Sequence, residues 1–218
     1  MAAYTTVDDG SKYHQSQIYT GNNSGSGKTI TNTGNSDLQP DLLWIKNRES
    51  SGHNHYLVDS SRGENNSVHV RLVPNGTQTE ADGYTDNFAS DGFRAVNDNG
   101  TTNNADDFIA WQWYANGGTT TNISAGGDIG LATVSQVNTT AGFNICTYTG
   151  SGSGTSFGHS LGAAPTAIII KNRDAADDWF WWNKGLNNNQ GMDLNNNDSV
   201  QTTNGFMNNE APQSTWVG

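Results

Sequence analysis

The chain has 218 residues, and its hydrophobic fraction of 33% is enough for one large all-β domain or two small ones. The 21 acidic residues outnumber the 10 basic ones, and the net charge of -11 disfavours binding to a nucleic acid or insertion into an anionic membrane. Cys146 is the one cysteine, which excludes an intrachain disulfide and a multi-cysteine metal site.

The N-terminal segment, residues 1–17, contains the turn signal Asp8-Asp9-Gly10 and room for about one helical turn. It is too short to form a core. We expect a docking arm that contacts another molecule, and the alternative is a segment folded back on its own domain. No basic region followed by an apolar one precedes it, so the sequence predicts no export signal and synthesis in the cytoplasm.

The segment from Gly21 to Thr29 contains Gly-Lys-Thr after a predicted strand, as a phosphate-binding loop does. Asn22 occupies the position where such a loop needs its first glycine, and no amphipathic helix follows. The sequence therefore favours a hairpin turn here over a nucleotide site.

Residues 18–116 are predicted to form a first β-sandwich unit. Short runs of strand-forming residues alternate with Gly, Asn and Pro turn clusters, and helical periodicity is absent. The predicted strands cover residues 41–46, 55–59, 68–73, 92–96 and 108–113.

The same plan occurs twice in the chain. Ile45-Lys46-Asn47-Arg48 recurs as Ile170-Lys171-Asn172-Arg173, and Tyr19-Thr20-Gly21 recurs as Tyr148-Thr149-Gly150. A spacing of about 125 residues is typical of a duplicated structural unit. We predict an all-β protein of two tandem, antiparallel, jelly-roll-like sandwich units, with a linker at 117–141 that has room for one edge strand, and a second unit at 142–218.

The second unit lacks a counterpart of the strand at 108–113 before Gly218. A sandwich without its last strand exposes a sheet edge and part of its core. We therefore expect either that the chain is a fragment of a longer protein or that a neighbouring chain supplies the missing strand.

Four charged residues stand at predicted strand ends, where side chains commonly pair across neighbouring loops. They are Lys46, Arg48, Asp59 and Arg62. We interpret them as loop latches, each worth roughly 0 to 1 kcal/mol if exposed.

The aromatic run Trp179-Phe180-Trp181-Trp182 is the densest in the chain. Because side chains alternate along a strand, we expect Phe180 and Trp182 in the core and Trp179 and Trp181 outside. The outward pair is favoured as a subunit interface, and the alternative is a site where rings stack on a sugar while Asn183 and Asn187 bind its hydroxyls.

Metal and catalytic sites are not predicted. His53 and His55 share a face of a strand near Asp59, but no further ligand has a suitable spacing. The turns at 97–100 and 195–198 offer oxygen ligands without the terminal Glu of a calcium loop, so a structural calcium stays open while no cofactor is expected. Adjacent acids such as Asp106-Asp107 diverge on an extended chain, so we expect no enzyme.

As a whole, the motifs resemble those of a lectin-like, concanavalin A-like jelly-roll family of bacteriophage structural and tail-fibre proteins from phages of marine bacteria and cyanobacteria. The shared features are an N-terminus like Met1 to Asp9, the Tyr-Thr-Gly strands, His159 to Pro165, the Ile-Lys-Asn-Arg blocks, Asp59 to Gly63, and a closing strand like Phe108 to Trp111. The aromatic run at 179–182 is heavier than the family pattern.

The resemblance implies a non-enzymatic virion protein, a tail-fibre or appendage subunit that forms a homo-oligomer, for which a trimer is one fitting order. Its implied partners are other virion proteins and a glycan of the host surface, with no nucleic acid and no membrane insertion. One alternative is a carbohydrate-binding module that recognises the host receptor. Another is a capsid decoration or head-fibre protein.

Overall fold

The structure of the chain, a computed structural model, describes residues 7–96, 102–202 and 205–218, with only the backbone of Phe206 included. Antiparallel strands dominate, and two short 3₁₀ turns lie at Gly10–Lys12 and Phe206–Asn209. The predicted all-β class is confirmed. None of the described helical turns is long and apolar enough to cross a membrane.

The first unit consists of two antiparallel sheets. Its described strands are β1 (His14–Thr20), β2 (Lys28–Ile30), β3 (Leu42–Asn47), β4 (Tyr56–Asp59), β5 (Glu64–Asn65), β6 (Val68–Leu72), β7 (Ala81–Asp82), β8 (Thr85–Ala89), β9 (Gly92–Ala95) and β10 (Asp107–Trp113). One sheet has the order β1-β10-β3-β4-β6-β5, with β7 also paired to β6, and the other has the order β2-β9-β8. The five strands predicted from the sequence all exist, with ends shifted by at most one residue.

Apolar residues from both sheets meet in one core. Leu43 and Ile45 on β3 and Phe108 on β10 face Phe93 on β9, and all four are fully buried. Each such side chain contributes about 1.5–3 kcal/mol to folding. In β10 the buried and half-buried residues alternate along the strand, as expected for a strand that buries one face.

The prediction of a docking arm at residues 1–17 is corrected for the part that the structure describes. Strand β1 begins at His14 and pairs along its whole length with β10. Before it, Asp9 accepts hydrogen bonds from the backbone and hydroxyl of Ser11 and from the hydroxyl of Ser36, and the buried Gln15 amide donates to two backbone carbonyls. These bonds fold the segment back on its own domain, while residues 1–6 lie outside the described part.

The predicted hairpin at Gly21–Thr29 is also wrong. A hairpin requires neighbouring strands in one sheet, but β1 pairs with β10 and β2 pairs with β9 in the opposite sheet. The segment is instead a crossover between the two layers, in which the Lys28 ammonium donates to the Thr20 carbonyl at 2.6 Å.

The remaining strands form three smaller sheets. They are β11 (Thr121–Ile123), β12 (Thr133–Asn138), β13 (Phe143–Tyr148), β14 (Phe157–Gly158), β15 (Ala167–Ile170), β16 (Phe180–Asn183), β17 (Gln190–Asp193), β18 (Gln201–Thr202) and β19 (Trp216–Val217). The sheet orders are β11-β12-β13, β14-β19 and β15-β16-β17-β18.

The segment predicted as a linker, 117–141, contains two strands, and β12 lies in the centre of its sheet. The buried side chains of β12 are polar, so its sequence does not show the apolar alternation that predicts a strand. The Thr133 hydroxyl donates to the carbonyl of Gly158, and the buried Gln136 amide donates to the hydroxyls of Ser60 and Ser61. Hydrogen bonds therefore replace apolar contacts in this strand.

Strand pairing in the second unit follows that of the first. Leu43 lies opposite Val58 in β3 and β4, and Ile168 lies opposite Trp182 in β15 and β16, at positions 125 and 124 residues later. The pair β14-β19 likewise follows the pair β2-β9. The strand pairings of the two units therefore agree at these positions, while descent from one duplicated segment stays a prediction.

The second unit has a smaller core, in which the indole of Trp182 contacts Met207 and Val217. Cys146 lies on β13 beside it and is a half-buried free thiol. Burial raises the pKa of this thiol to about 11, so the thiolate form is scarce at neutral pH.

A buried carboxylate fixes the exit of β10. Asp41 accepts four backbone hydrogen bonds of 2.7–2.8 Å, from the N–H groups of residues 115–118, and a further one from the Ser60 hydroxyl. The Asp41 side chain is fully buried, so its carboxylate oxygens depend on these protein donors and not on water. This nest ties the start of β3 to the chain that leaves β10.

Replacing Asp41 with Asn is expected to lower the free energy of unfolding by about 3 kcal/mol or more, because an amide nitrogen cannot accept the N–H groups that the carboxylate oxygen accepted. Urea denaturation followed by tryptophan fluorescence measures the change. The control is Asp37→Asn at an exposed position, expected to stay within about 0.5 kcal/mol. Equal stability of the two variants would contradict the role given to the nest.

Candidate functional site

The two Ile-Lys-Asn-Arg blocks build similar turns. The Lys46 ammonium donates to the carbonyls of Ser50 and His53, and the Lys171 ammonium donates to those of Asn172 and Ala175. Each lysine therefore closes its own loop. For Lys46 this agrees with the predicted latch, although its acceptors are backbone carbonyls.

The asparagine of each block organises the turn that follows it. The Asn47 carbonyl accepts the N–H groups of Glu49 and Ser50, and the Asn172 carbonyl accepts that of Asp174. Such side chain to backbone bonds are typical of Asx turns. The first three residues of the block thus have a structural role in both units.

The arginines of the two blocks differ. Arg48 lies 4.0 Å from Asp107, and both side chains are more than two-fifths exposed. Arg173 instead forms a two-pronged contact with Glu80 of the first unit, with nitrogen–oxygen distances of 3.0 and 2.5 Å. The repeated arginine has therefore become a contact between units in the second copy.

Glu80 also binds Arg62, which in turn binds Asp59. Arg62 donates to Asp59 at 2.5 Å and to Glu80 at 2.7 Å, and its side chain is 3% exposed. Asp59 further accepts the N–H groups of Ser61 and Arg62. The predicted Asp59–Arg62 latch therefore exists, but it is buried and belongs to a longer network, Asp59–Arg62–Glu80–Arg173.

The network sets the charge state of Glu80. Burial alone would raise the pKa of this carboxyl, but hydrogen bonds from Arg173 and Arg62 outweigh burial and hold its pKa below the ordinary value of 4.5. The backbone N–H of Glu80 also donates to the Arg173 carbonyl at 2.9 Å. Side chain and backbone together join the two units at this point.

Trp179 is placed in the same joint, which corrects the prediction that it faces outward. Its side chain is 3% exposed, and the indole N–H donates to the carbonyls of Val73 and Gly76 at 3.0 Å each. Trp179 lies one residue before β16, so it leaves the alternation of that strand and packs on the first unit. It is not available to stack on a sugar.

Trp181 is half-buried on the outer face of β16, and Phe180 and Trp182 face the core as predicted. Asn183 lies two residues further on the same face, where its carbonyl accepts the N–H of Gly185. Asn187 is exposed, but its backbone carbonyl accepts the indole N–H of the core residue Trp182. The structure thus keeps Trp181 and Asn183 together and separates them from Trp179.

Two of the three residues considered for a histidine metal site, His55 and Asp59, have protein partners. The His55 ring accepts the indole N–H of Trp44 at 2.9 Å, and Asp59 is engaged by Arg62. In the turn at 195–198, Asn195 joins Asp178 to the N–H of Trp179. The turn at 97–100 lies outside the described residues, and across the described ones no three His, Cys, Asp or Glu side chains cluster.

Glu80 was missed by the sequence reasoning because it is an isolated acid in a polar loop. The one available signal was the repeated Ile-Lys-Asn-Arg block. It places Arg173 at the position of Arg48, and so raises the question of which carboxylate Arg173 binds. The sequence gives no indication that this acceptor lies in the other unit.

Residues 9–218 match the family described as a domain of unknown function, DUF7483. No curated protein and no solved structure matches the chain.

Replacing Arg173 with Ala is expected to destabilise the protein by about 1.5–3 kcal/mol, because two charge-assisted hydrogen bonds to Glu80 are lost. The matched control is Arg48→Ala, the same position of the other block, where an exposed contact predicts a change below about 1 kcal/mol. Thermal and urea denaturation of both variants gives the comparison. If Arg173→Ala and Arg48→Ala lower the free energy of unfolding equally, the contact between Arg173 and Glu80 does not hold the two units together.

The stabilisation from Glu80 is expected to depend on pH. Because its pKa is lower in the folded than in the unfolded chain, the stabilisation is complete above about pH 4.5 and is lost as the pH falls through the folded pKa. The difference in unfolding free energy between the natural protein and Glu80→Gln should therefore shrink from pH 6 to pH 3. The exposed Glu210→Gln is the control, and a difference that is flat over this range would contradict the ionic role.

Proposed function

The chain belongs to the DUF7483 family, and from this premise we propose that it is a non-enzymatic structural protein of a bacteriophage virion. In this proposal it is a tail-fibre or appendage subunit that assembles as a homo-oligomer. Two things support the proposal: the motif resemblance described above and an apolar surface on the second unit.

That surface is the outer face of the second unit's four-stranded sheet. Ile169 lies opposite Trp181, and Trp181 lies opposite Met192, so the three form a strip across β15, β16 and β17. Ile169 is 48% exposed, and the other two are half-buried. We name these three residues the outer strip, and it is the structural observation that carries the proposal.

Assembly would remove the outer strip from water, which makes association favourable. The net charge of -11 makes copies of the chain repel one another, so burial of the outer strip has to outweigh this repulsion. A capsid decoration or head-fibre protein would use the same surface and would differ in the virion component on which it docks.

A carbohydrate-binding module is the second candidate function. Trp181 offers a half-buried indole ring, with the Asn183 amide on the same side of the sheet. Aromatic rings stack on the apolar faces of sugars, and amides bind hydroxyls. Loss of Trp179 to the joint between units leaves this candidate one ring instead of two.

The oligomer proposal predicts that Trp181→Ser shifts the protein towards monomer, because it removes the largest apolar side chain of the strip. Sedimentation equilibrium over a hundredfold concentration range measures the association constant, which should fall at least tenfold. Ile18→Ser is the control, since Ile18 is an exposed apolar residue of the first unit at 57% exposure. A natural protein that stays monomeric throughout the range would sink the proposal.

Titration calorimetry with bacterial surface polysaccharide distinguishes the structural role from the carbohydrate-binding function. If Trp181→Ser abolishes polysaccharide binding in a protein that is monomeric before and after the change, the carbohydrate-binding function is the correct one. If the variant loses association and the natural protein shows no polysaccharide binding, the structural role stands.

A further inference from the structure

The two units differ at one strand position. In the first unit β10 lies between β1 and β3 and pairs with both. The counterparts of β1 and β3 in the second unit are β13, which ends at the tyrosine of the second Tyr-Thr-Gly, and β15, which ends at the isoleucine of the second Ile-Lys-Asn-Arg run. Among the described residues, β13 and β15 are each the last strand of a sheet, and no strand joins them.

Burial at matched positions shows what β10 covers. Tyr19 at the end of β1 is 8% exposed, whereas Tyr148 at the end of β13 is 37% exposed. Ile45 on β3 is 1% exposed, whereas its counterpart Ile170 on β15 is only half-buried. The inner faces of β13 and β15 are therefore less well covered than those of β1 and β3.

The aromatic contacts differ in the same way. The ring of Tyr19 stacks on Phe108 of β10 with a centroid distance of 5.2 Å. The ring of Tyr148 stacks instead on Phe157 of β14, at 4.5 Å. Tyr19 also contacts Phe93 of the opposite sheet, at 5.8 Å, so among the described residues Tyr148 keeps a contact across the sheets and lacks the contact that β10 provides to Tyr19.

An open groove of about 500 Å³ lies beside these ends. Its apolar wall includes Tyr148 at the end of β13 and Ile170 at the end of β15. Its rim is the Gly/Ser turn at 150–154. The apolar lining residues are Leu131, Tyr148, Phe157, Ile170, Phe180 and Met207. The groove thus combines apolar side chains with two strands that, within the described part of the chain, each end a sheet and so offer an edge for pairing.

We propose that this groove, which we name the strand slot, binds one extended segment of a partner polypeptide as an additional β-strand. The segment lies between β13 and β15 and runs antiparallel to both, as β10 does between β1 and β3. Backbone hydrogen bonds to the two edges provide affinity, and every second side chain points into the groove. The inference stands apart from the virion function, since it rests on the pairing and burial of the two units.

The first unit specifies the chemistry of the segment. Phe108 of β10 lies opposite Tyr19, and Ala110 lies opposite Ile45. An aromatic side chain next to Tyr148 and a small one next to Ile170 therefore fit the slot. A partner segment with an aromatic residue, any residue and then alanine or glycine meets this requirement, and a charged residue at either inward position does not.

A synthetic peptide of residues 105–114, with two added lysines at each end for solubility, is the probe. It is expected to bind the full 218-residue protein with a stoichiometry of one, measured by fluorescence anisotropy of a dye-labelled peptide. Hydrogen exchange of the amides at 143–148 and 167–170 should slow in the complex. The control peptide carries Phe108→Asn and Ala110→Asp, and its affinity should be at least tenfold lower.

Three results would overturn the proposal. One is equal affinity of the two peptides. Another is protection confined to the amides of β1, which also ends a sheet, since the peptide would then add to the first unit. The third is concentration-dependent protection of 143–148 and 167–170 without peptide, which would show that a second copy of the chain fills the slot.

Discussion

The relation between the two units depends on four charged side chains in a row, Asp59, Arg62, Glu80 and Arg173. Two carboxylates alternate with two guanidinium groups, so the row is neutral as a whole, and Arg62 at its centre is almost fully buried. A buried charge is tolerated when its partners are in place, and removal of one partner leaves the next without compensation. The loop that carries Glu80 is therefore held by both units, and Trp179 seals the joint beside it.

Elsewhere in the structure, asparagine side chains form the contacts that hold turns in place, without adding charge. Asn47 and Asn172 shape the turns after the repeated blocks, and Asn195 holds the start of β16. An amide both donates and accepts, so one residue satisfies several backbone groups of a turn without adding charge. A chain with few charged residues can thus pair the backbone groups of its turns without added charge.

Sequence reasoning succeeded where burial follows the period of a strand. Runs such as Leu42–Asn47 and Asp107–Trp113 alternate in their contact with the core, and their prediction as strands is confirmed. It failed at β12, because the buried residues Gln136 and Thr133 are polar and satisfied by hydrogen bonds, so they produce no apolar pattern. It also failed for Trp179, because the period of β16 says nothing about a residue just before the strand that contacts another unit.

The surfaces that meet in the joint are not alike. The first unit contributes the loop from Val73 to Glu80, and the second contributes Arg173 and Trp179. Such a union is heterologous, and heterologous unions have a polarity that a two-fold symmetric pair lacks. The two units are therefore joined head to tail, through surfaces that differ between them.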